Sequence, residues 1–383
     1  MAMPKEFSER QRILRTQMAN ASVDALVIAA AARTDSRGSL RYLTDYYVPT
    51  FEEYLLLTAS GETVLFVHDQ CGVSYAQKYA AIDKVYTIPS DEYDAEPGKC
   101  VAKYIRSLGA EKTAIAGNNY SAKFYSSLCG NLAAGSLYDF SAEFERMRAV
   151  KDGVESQLAA SAARLNDEVL SYYIECLARG DSICGAVACA SGFAYKSGAE
   201  DLYWMASLGT VPQTMFLSEM WRCGQQDKTG RYHYIILEHS AAGGHFGEVT
   251  QLISFGKPKP EYVSAFHAVR DAIQAASEKI KPGAVIGDIA KASEDVLIKA
   301  GYLDRDQAEA AAASIGHSQG YDIYELPRIT RDNSTVIKEG MRFNIHPAVR
   351  LEDGAVITYC DCYITENSSC RRLSSLNYEI AVI

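Results

Sequence analysis

The sequence predicts a mixed α/β protein with two domains, and three observations support that prediction. Strand-like and helical stretches alternate over the first 145 residues, as in a layered α/β domain. A long helical stretch follows the basic segment RMRAVKD at 146–152, and strands and helices recur beyond it. The 383 residues are 48% hydrophobic, which is enough for two sizeable cores. We therefore place the domains at residues 1–148 and 149–383.

The first domain is predicted to open with an amphipathic helix over residues 5–22, where apolar side chains recur between charges. ALVIAA at 25–30 follows as a buried strand. The later elements are predicted in EEYLLLTASGETVLFVHD, 73–82, KVYTI, 97–108 and TAIAG. Chemically reactive residues do not cluster in this domain, so we expect it to be structural, to form a dimer or to cover a substrate.

The second domain is predicted to begin with a long helix in GVESQLAASAARLNDEVLSYYIECLARG. Residues 184–199 fit a further helix or a loop, and 200–233 carry no clear pattern beyond their aromatic and methionine content. A helix at 261–279 and another starting near Val285 are separated by KPGA, because proline and glycine interrupt the chain there.

The segment from Tyr234 to Glu248, YIILEHSAAGGHFGE, is predicted to form a buried strand, a tight turn and a return strand. Gly243 and Gly244 permit the positive φ angles that a tight reversal needs. The hairpin would bring Glu238 near Glu248, together with His239 and His245, which we expect to be exposed or to support the site. These groups can carry protons or bind a metal, although a solvent-exposed hairpin explains the stretch equally well.

Two further histidines lie in motifs of their own near the C-terminus. His317 stands in GHSQG, and His346 stands in KEGMRFNIHP, where apolar neighbours predict a strand. The last such segment, GAVITYCDCYITENS, alternates in the manner of a β-strand.

Charge and composition exclude some classes of protein. A net charge of −10 disfavours nucleic-acid backbones as partners. The sequence has no run of eighteen apolar residues, and its charged start lacks the apolar core of a signal peptide. We therefore expect a cytoplasmic protein without a membrane partner. The ten cysteines are scattered, so we expect reduced thiols rather than disulfides or a zinc site.

The order of these motifs resembles that of the creatinase, prolidase and methionine aminopeptidase superfamily. The resemblance rests on RYLTDYY, RMRAVKD, GGHFGEVTQLISFGKP, KPGAVIGDIAKASEDVLIKAGY, IGHSQGYDIYELP, KEGMRFNIHP and DCYITENSSCRRLS. It implies an N-terminal creatinase-like α/β domain followed by a C-terminal catalytic domain of the pita-bread fold. It also implies a homodimer in which the first domain of one chain covers the site of the other.

In the metal-dependent members of that superfamily, two aspartates, one histidine and two glutamates hold two divalent ions. This sequence departs from that pattern at several positions. Glu248 stands at the second aspartate, and the first falls on Leu237 or, with a one-residue deletion in the turn, on Glu238. His317 matches the histidine. The glutamates are replaced by His346 and Tyr359.

Two further positions of the resemblance also differ. The later histidine, which contacts the tetrahedral intermediate in that superfamily, falls on Tyr324. The histidine upstream of the first strand is missing, and Trp221 lies near its place.

These departures favour a non-peptidase enzyme without a metal or other cofactor. It would hydrolyse a C–N bond of a small amino-acid-like substrate. We assign acid–base roles to His317 and His346, with Glu248 orienting an imidazole and Tyr324 or Tyr359 donating to an oxyanion. The residues expected to bind substrate are Glu238, Glu325, Arg328 and Trp221; for Arg328, a surface ion pair is equally compatible.

Three alternatives remain. The chain could be a mononuclear metal enzyme, a hydrolase, lyase or oxygenase, whose single Fe, Mn or Zn ion is held by Glu248, His317 and His346, with Asp361 or Glu238 as a further ligand. The domain could also be an inactive binding module, as in some histone chaperones. Finally, the chain could be a metal-dependent Xaa-Pro peptidase, which the lost carboxylates disfavour because two close dications need anionic ligands.

Overall fold

The computed structural model describes residues 5–117, 119–213, 228–310 and 313–383. The chain divides into two compact units, Met1–Arg148 and Ala149–Ile383. Each unit has a buried hydrophobic core of its own.

The first unit is built on a mixed sheet of six strands in the order β4-β3-β2-β1-β5-β6. The central strand β1 pairs antiparallel with β2 and parallel with β5. Every residue of β1 is buried, as expected for a strand covered on both faces. The strands are β1 (Ala25–Ala30), β2 (Glu53–Thr58), β3 (Thr63–Val67), β4 (Lys84–Thr87), β5 (Thr113–Ala116) and β6 (Leu137–Asp139).

Seven helices among the described residues pack around this sheet or follow it. Two of them begin at side-chain caps, where Asp69 accepts from the Gly72 amide and Ser121 accepts from the Phe124 amide. The helices are α1 (Lys5–Asn20), α2 (Gly38–Thr44), α3 (Gln70–Tyr79), α4 (Ser90–Ala95), α5 (Gly98–Ser107), α6 (Ala122–Asn131) and α7 (Ser141–Arg148).

The second unit starts with the predicted long helix. Asp152 and Glu155 form a reciprocal capping box at its start, which satisfies two amides that a helix end leaves free. Residues 184–199, for which a helix or a loop was predicted, are mostly helical. The helices of this unit are α8 (Gly153–Ala178), α9 (Ile183–Lys196), α10 (Pro260–Ser277), α11 (Ile286–Lys299) and α12 (Arg305–Ala310).

The predicted hairpin forms the middle of a four-stranded sheet in the order β17-β9-β8-β7. Its turn contains Gly243 and Gly244 with φ angles of 95° and 82°, which glycine adopts without strain. The strands are β7 (Asp201–Gly209), β8 (Tyr232–Ser240), β9 (Phe246–Ser254) and β17 (Ala381–Val382). Part of the stretch 200–233, which carries no clear sequence pattern, therefore forms strands. Trp221, in the same stretch, lies outside the described residues.

A second sheet contains the motifs with the two C-terminal histidines, in the order β11-β10-β12-β15-β16. A Cβ atom on Gly316 would lie 2.0 Å from the backbone oxygen of Asn344, so glycine allows the first strand to approach its neighbour. The strands are β10 (Gly316–Ser318), β11 (Glu325–Arg328), β12 (Arg342–Ile345), β15 (Asp361–Glu366) and β16 (Ser369–Arg372), with a separate pair β13 (Ala348–Arg350) and β14 (Val356–Thr358).

Among the described residues, no helix has the length and apolar character needed to cross a bilayer.

Candidate metal centre

Three side chains from separate segments meet in the second unit. Glu248 lies on β9, His317 lies on β10, and His346 directly follows β12. One ligand atom from each side chain lies within 4.8 Å of the others. A carboxylate and two imidazoles at this spacing can hold one divalent ion, because these donor types suit Mn, Fe or Zn.

The carboxylate of Glu248 is held in place from a neighbouring strand. Asn344 Nδ2 donates to Glu248 Oε2 at 2.9 Å, and the Asn344 side chain is fully buried. Burial alone would raise the pKa of Glu248, but the two imidazoles and the Asn344 amide hold the pKa below its ordinary value. Glu248 is therefore an anionic donor at neutral pH.

The imidazole of His317 is oriented by the backbone. Its Nδ1 lies 2.8 Å from the carbonyl oxygen of Ser318 and must donate there, because a carbonyl only accepts. Its Nε2 then carries the free lone pair and lies 3.9 Å from Glu248 Oε2. Burial lowers the pKa of His317 despite the nearby carboxylate of Glu248. A neutral ring with one nitrogen fixed by a backbone oxygen is the usual state of a metal-binding histidine.

A second carboxylate lies beside Glu248. Glu238 and Glu248 are directly paired across β8 and β9, so both side chains project from one face of the sheet. Gln319 Nε2 donates to Glu238 Oε2 at 2.9 Å, and the buried Arg342 donates to Gln319 Oε1 at 3.0 Å. Burial, followed by repulsion from Glu248, raises the pKa of Glu238 well above its ordinary value.

Two of the predicted residues stand beside His317. The ring of Tyr324 lies 4.6 Å from the His317 ring, centroid to centroid. The guanidinium of Arg328 lies 5.3 Å from the Tyr324 centroid, and the Arg328 side chain is exposed. Tyr324 therefore lies next to the cluster, and Arg328 lies next to Tyr324.

Other predicted residues lie elsewhere. Tyr359 stacks against Phe266 and Tyr378, at centroid distances of 5.2 Å and 4.7 Å, and does not join the cluster. Its neighbour Cys360 faces Glu248 instead, because alternate residues of an extended chain point in opposite directions.

Glu325 does not bind substrate from this position, because it forms a buried ion pair with Lys151. Asp361 also turns away from Glu248 and accepts from Arg372 Nε at 2.6 Å. His239 and His245 are fully buried rather than exposed. Trp221 lies outside the described residues.

The residues that sequence reasoning missed are those that hold the acidic side chains. Arg342 and Asn344 lie on β12 and His346 directly follows it, at intervals of two residues, so the extended chain directs their side chains to one side. That periodicity was a usable signal for Asn344 and Arg342. Gln319, within GHSQG, was visible in the motif, but its contact with Glu238 joins residues 81 positions apart.

Comparison with known proteins identifies the family. Residues 127–368 match metallopeptidase family M24, and residues 10–150 match the creatinase/prolidase N-terminal domain. The chain belongs to metallopeptidase family M24. The predicted resemblance and the predicted fold class are thereby confirmed.

Relatives of this M24 protein carry peptidase names. The chain is 24% identical over 237 residues to an Xaa-Pro dipeptidase of Pyrococcus horikoshii, a match that covers 61% of this chain and 65% of the relative. It is 21% identical to the uncharacterized peptidase YqhT of Bacillus subtilis, over 93% of this chain and 95% of that protein. A match to the Xaa-Pro dipeptidase of Lactobacillus helveticus, at 26% identity, covers 37% of each chain.

Solved structures show the same fold over nearly the whole length. The X-Pro aminopeptidase of Thermotoga maritima superimposes with a TM-score of 0.80 at 17% identity, covering 97% of this chain and 99% of that one. The dipeptidase PepE of Mycobacterium ulcerans gives 0.80 at 19% identity, covering 100% and 99%.

These findings correct two expectations. The expectation of a non-peptidase enzyme is wrong, because the family and its named relatives are peptidases. The expectation of a site without a metal cofactor is wrong as well, because the family consists of metallopeptidases. Both errors come from giving the replaced ligands more weight than the family resemblance, although imidazole, which the single-ion alternative retains, is itself a common metal ligand.

Proposed function

We propose that this M24 protein is a metal-dependent peptidase that hydrolyses Xaa-Pro dipeptides, with a divalent ion held by Glu248, His317 and His346. The convergence of these three donors within 4.8 Å carries the proposal. The peptide substrate class rests on the names of the relatives, Xaa-Pro dipeptidases among them.

The donor set fits the ion. Its carboxylate is oriented by Asn344, and His317 is oriented by a backbone carbonyl, so two of the three ligands are positioned before any ion binds. When bound there, a divalent ion would polarise the peptide carbonyl and make a water molecule more acidic.

The remaining polar groups have roles that follow from their positions. Glu238 Oε2 accepts a hydrogen bond from Gln319. A divalent ion bound beside this carboxyl would lower its raised pKa, so that the other oxygen of Glu238 would accept the proton that the attacking water loses. The Tyr324 hydroxyl donates to the oxyanion that develops on the carbonyl oxygen. Arg328, beside Tyr324, pairs with the free carboxylate of a dipeptide and so favours short substrates.

We further propose a cytoplasmic homodimer, as the family resemblance implies. None of the nine cysteines within the described ranges belongs to a disulfide, which agrees with a reducing compartment. Light scattering coupled to gel filtration tests the dimer, for which the expected mass is twice 42.0 kDa.

An assay of Xaa-Pro dipeptide hydrolysis tests the proposed activity. The protein is assayed after a chelator has removed its metal, and again after Mn(II), Co(II) or Zn(II) has been added back. We expect no hydrolysis without metal and restored hydrolysis with at least one of the ions. His346→Ala should remain inactive under all conditions. His267→Ala, a change of a half-exposed histidine on α10, should behave as the wild type. Absence of hydrolysis with every ion would overturn the proposal.

A further inference from the structure

The first unit contains a cavity of about 350 Å³, and none of the residues that line it belongs to the candidate metal centre. Aromatic rings form much of its wall, among them Tyr46, Phe51 and Tyr75, with His68 beside them. Its volume lies within the range of small-molecule sites in proteins.

A buried carboxylate faces this cavity without an adequate partner. Glu53, the first residue of β2, is 2% exposed, and its Oε2 has no hydrogen-bond partner among the described residues. Within the described part of the chain, its Oε1 accepts only from the amide of His68, at the long distance of 3.5 Å. The fully buried Tyr46 hydroxyl lies beside Glu53, but no hydrogen bond of ordinary geometry joins them.

The pKa of Glu53 reflects this unfavourable burial. Burial raises the pKa of Glu53 to about 7, against the weaker opposing effects of Tyr46 and His68. A buried carboxylate is unfavourable unless a cation or several donors compensate for lost water. A positively charged ligand would supply that compensation.

The rim of the cavity exposes aromatic surface. Phe51 is 41% exposed and stacks on the His68 ring at 3.7 Å between centroids. Tyr75 is 38% exposed and meets the Tyr46 ring edge-on at 5.5 Å. Aromatic faces attract cations through their quadrupole, most strongly where water is excluded.

Apart from His68, the ionisable side chains that give the cavity wall its charge are acidic. Glu53 and Asp69 are carboxylates, and neither lysine nor arginine is among the described residues that line the cavity. The nearby Arg37 and Arg41 lie over the ring of Tyr47, at 4.7 Å and 5.7 Å from its centroid, and do not line the cavity themselves.

We propose that this cavity binds a small organic ammonium ion, with Glu53 as the counter-charge and the rings of Phe51, Tyr46 and Tyr75 around the cationic head. Choline and ethanolamine distinguish a quaternary from a primary ammonium group. The neutral alcohol 3,3-dimethylbutan-1-ol has the shape of choline without its charge, so it separates cation recognition from simple burial of apolar surface.

Calorimetric titration of the full chain tests the proposal. We expect saturable binding of choline or ethanolamine, and binding of the neutral alcohol weaker by about tenfold or more. Glu53→Gln keeps the shape of the side chain and should weaken ammonium binding by about tenfold or more. Tyr75→Ala, at the rim, should weaken it without touching the buried core.

Glu92→Gln provides the matched control. It removes the same charge from a partly exposed residue in the first turn of α4, outside the residues that line the cavity, and it should leave binding unchanged. Circular dichroism establishes that each variant is folded. Equal binding of choline and its neutral analogue, unchanged binding in Glu53→Gln, or no saturable binding of either ammonium ion would overturn the proposal. Peptidase activity is expected to be the same in all these variants.

Discussion

Glu238 and Glu248 lie directly opposite each other on β8 and β9, each only 8% exposed. Two carboxylates so close repel each other unless cations or donors separate their charges. Glu248 faces two imidazoles and Asn344, whereas Glu238 is reached by Gln319 and, through it, by Arg342. The hairpin thus places two carboxyl groups in different surroundings. The different roles proposed for them, Glu248 as a metal ligand and Glu238 as a proton acceptor, follow from that difference.

The buried arginine should be important for stability. Arg342→Leu removes the donors to Gln319 Oε1 and to the backbone oxygen of Phe246, and it leaves Glu238 without its nearest guanidinium. We expect a loss of about 2–4 kcal/mol in the free energy of unfolding, measured with urea. Arg371→Leu breaks an exposed pair with Glu366 and should cost less than about 1 kcal/mol. Equal costs for the two variants would contradict this account.

Tyr324 should contribute to the chemical step rather than to binding. Tyr324→Phe keeps the ring beside His317 and removes only the hydroxyl. We expect kcat for dipeptide hydrolysis to fall by about 10²-fold with little change in KM. Tyr195→Phe, at an exposed helical residue, serves as the control. An effect confined to KM would assign Tyr324 to substrate binding instead.

Gly316 should be required for assembly of the site. A Cβ at this residue would meet the backbone oxygen of Asn344, so Gly316→Ala must separate β10 from β12 and move His317 away from His346. We expect metal affinity, measured by calorimetry, to fall by at least about tenfold. Gly192→Ala places a Cβ where nothing lies within 4 Å, on helix α9, and should leave affinity unchanged. Full affinity in Gly316→Ala would show that the strands tolerate the displacement.

His233 should make stability depend on pH. It is fully buried between the Tyr173 hydroxyl and the Ser207 carbonyl, and burial, with a smaller effect of Lys228, lowers its pKa to about 4. The unfolded chain takes up this proton near pH 6.5, whereas the folded chain does so only near pH 4. The contribution of neutral, buried His233 to the free energy of unfolding is therefore fully present above about pH 6.5 and is lost as pH falls toward 4.

Urea unfolding at several pH values measures this effect. Relative to His233→Gln, the wild type should lose about 3 kcal/mol more between pH 7 and pH 4. His267→Gln, at a half-exposed residue, should retain the slope of the wild type. A slope for His233→Gln that matches the wild type would show that His233 does not titrate as its burial requires.

Local patterns were sufficient to predict much of the fold. The apolar run of β1, the glycine turn between β8 and β9, and the helix starts near Pro260 and Ile286 all follow from neighbouring residues. Strands of three or four residues, such as β10 and β12, are too short for periodicity to define their ends.

The candidate site was only partly predictable, because its contacts are non-local. Motif order directed attention to Glu248, His317 and His346, which the structure brings together. The partner of Glu325 is Lys151, 174 residues away, so the sequence offered no local sign that this acid is already paired. Tyr359 was expected at the site because it stands where the superfamily has a glutamate, whereas in the structure the neighbouring Cys360 faces Glu248.

Metal content is the most direct test of the central claim that Glu248, His317 and His346 hold a divalent ion. The full chain is stripped with chelator, reloaded with Mn(II) or Zn(II), freed of unbound ion by gel filtration and assayed by elemental analysis. We predict at least one bound ion per chain in the wild type and in His267→Ala, and loss of that ion in His346→Ala. A wild type that retains no ion, or a folded His346→Ala that retains as much as the wild type, would contradict the account.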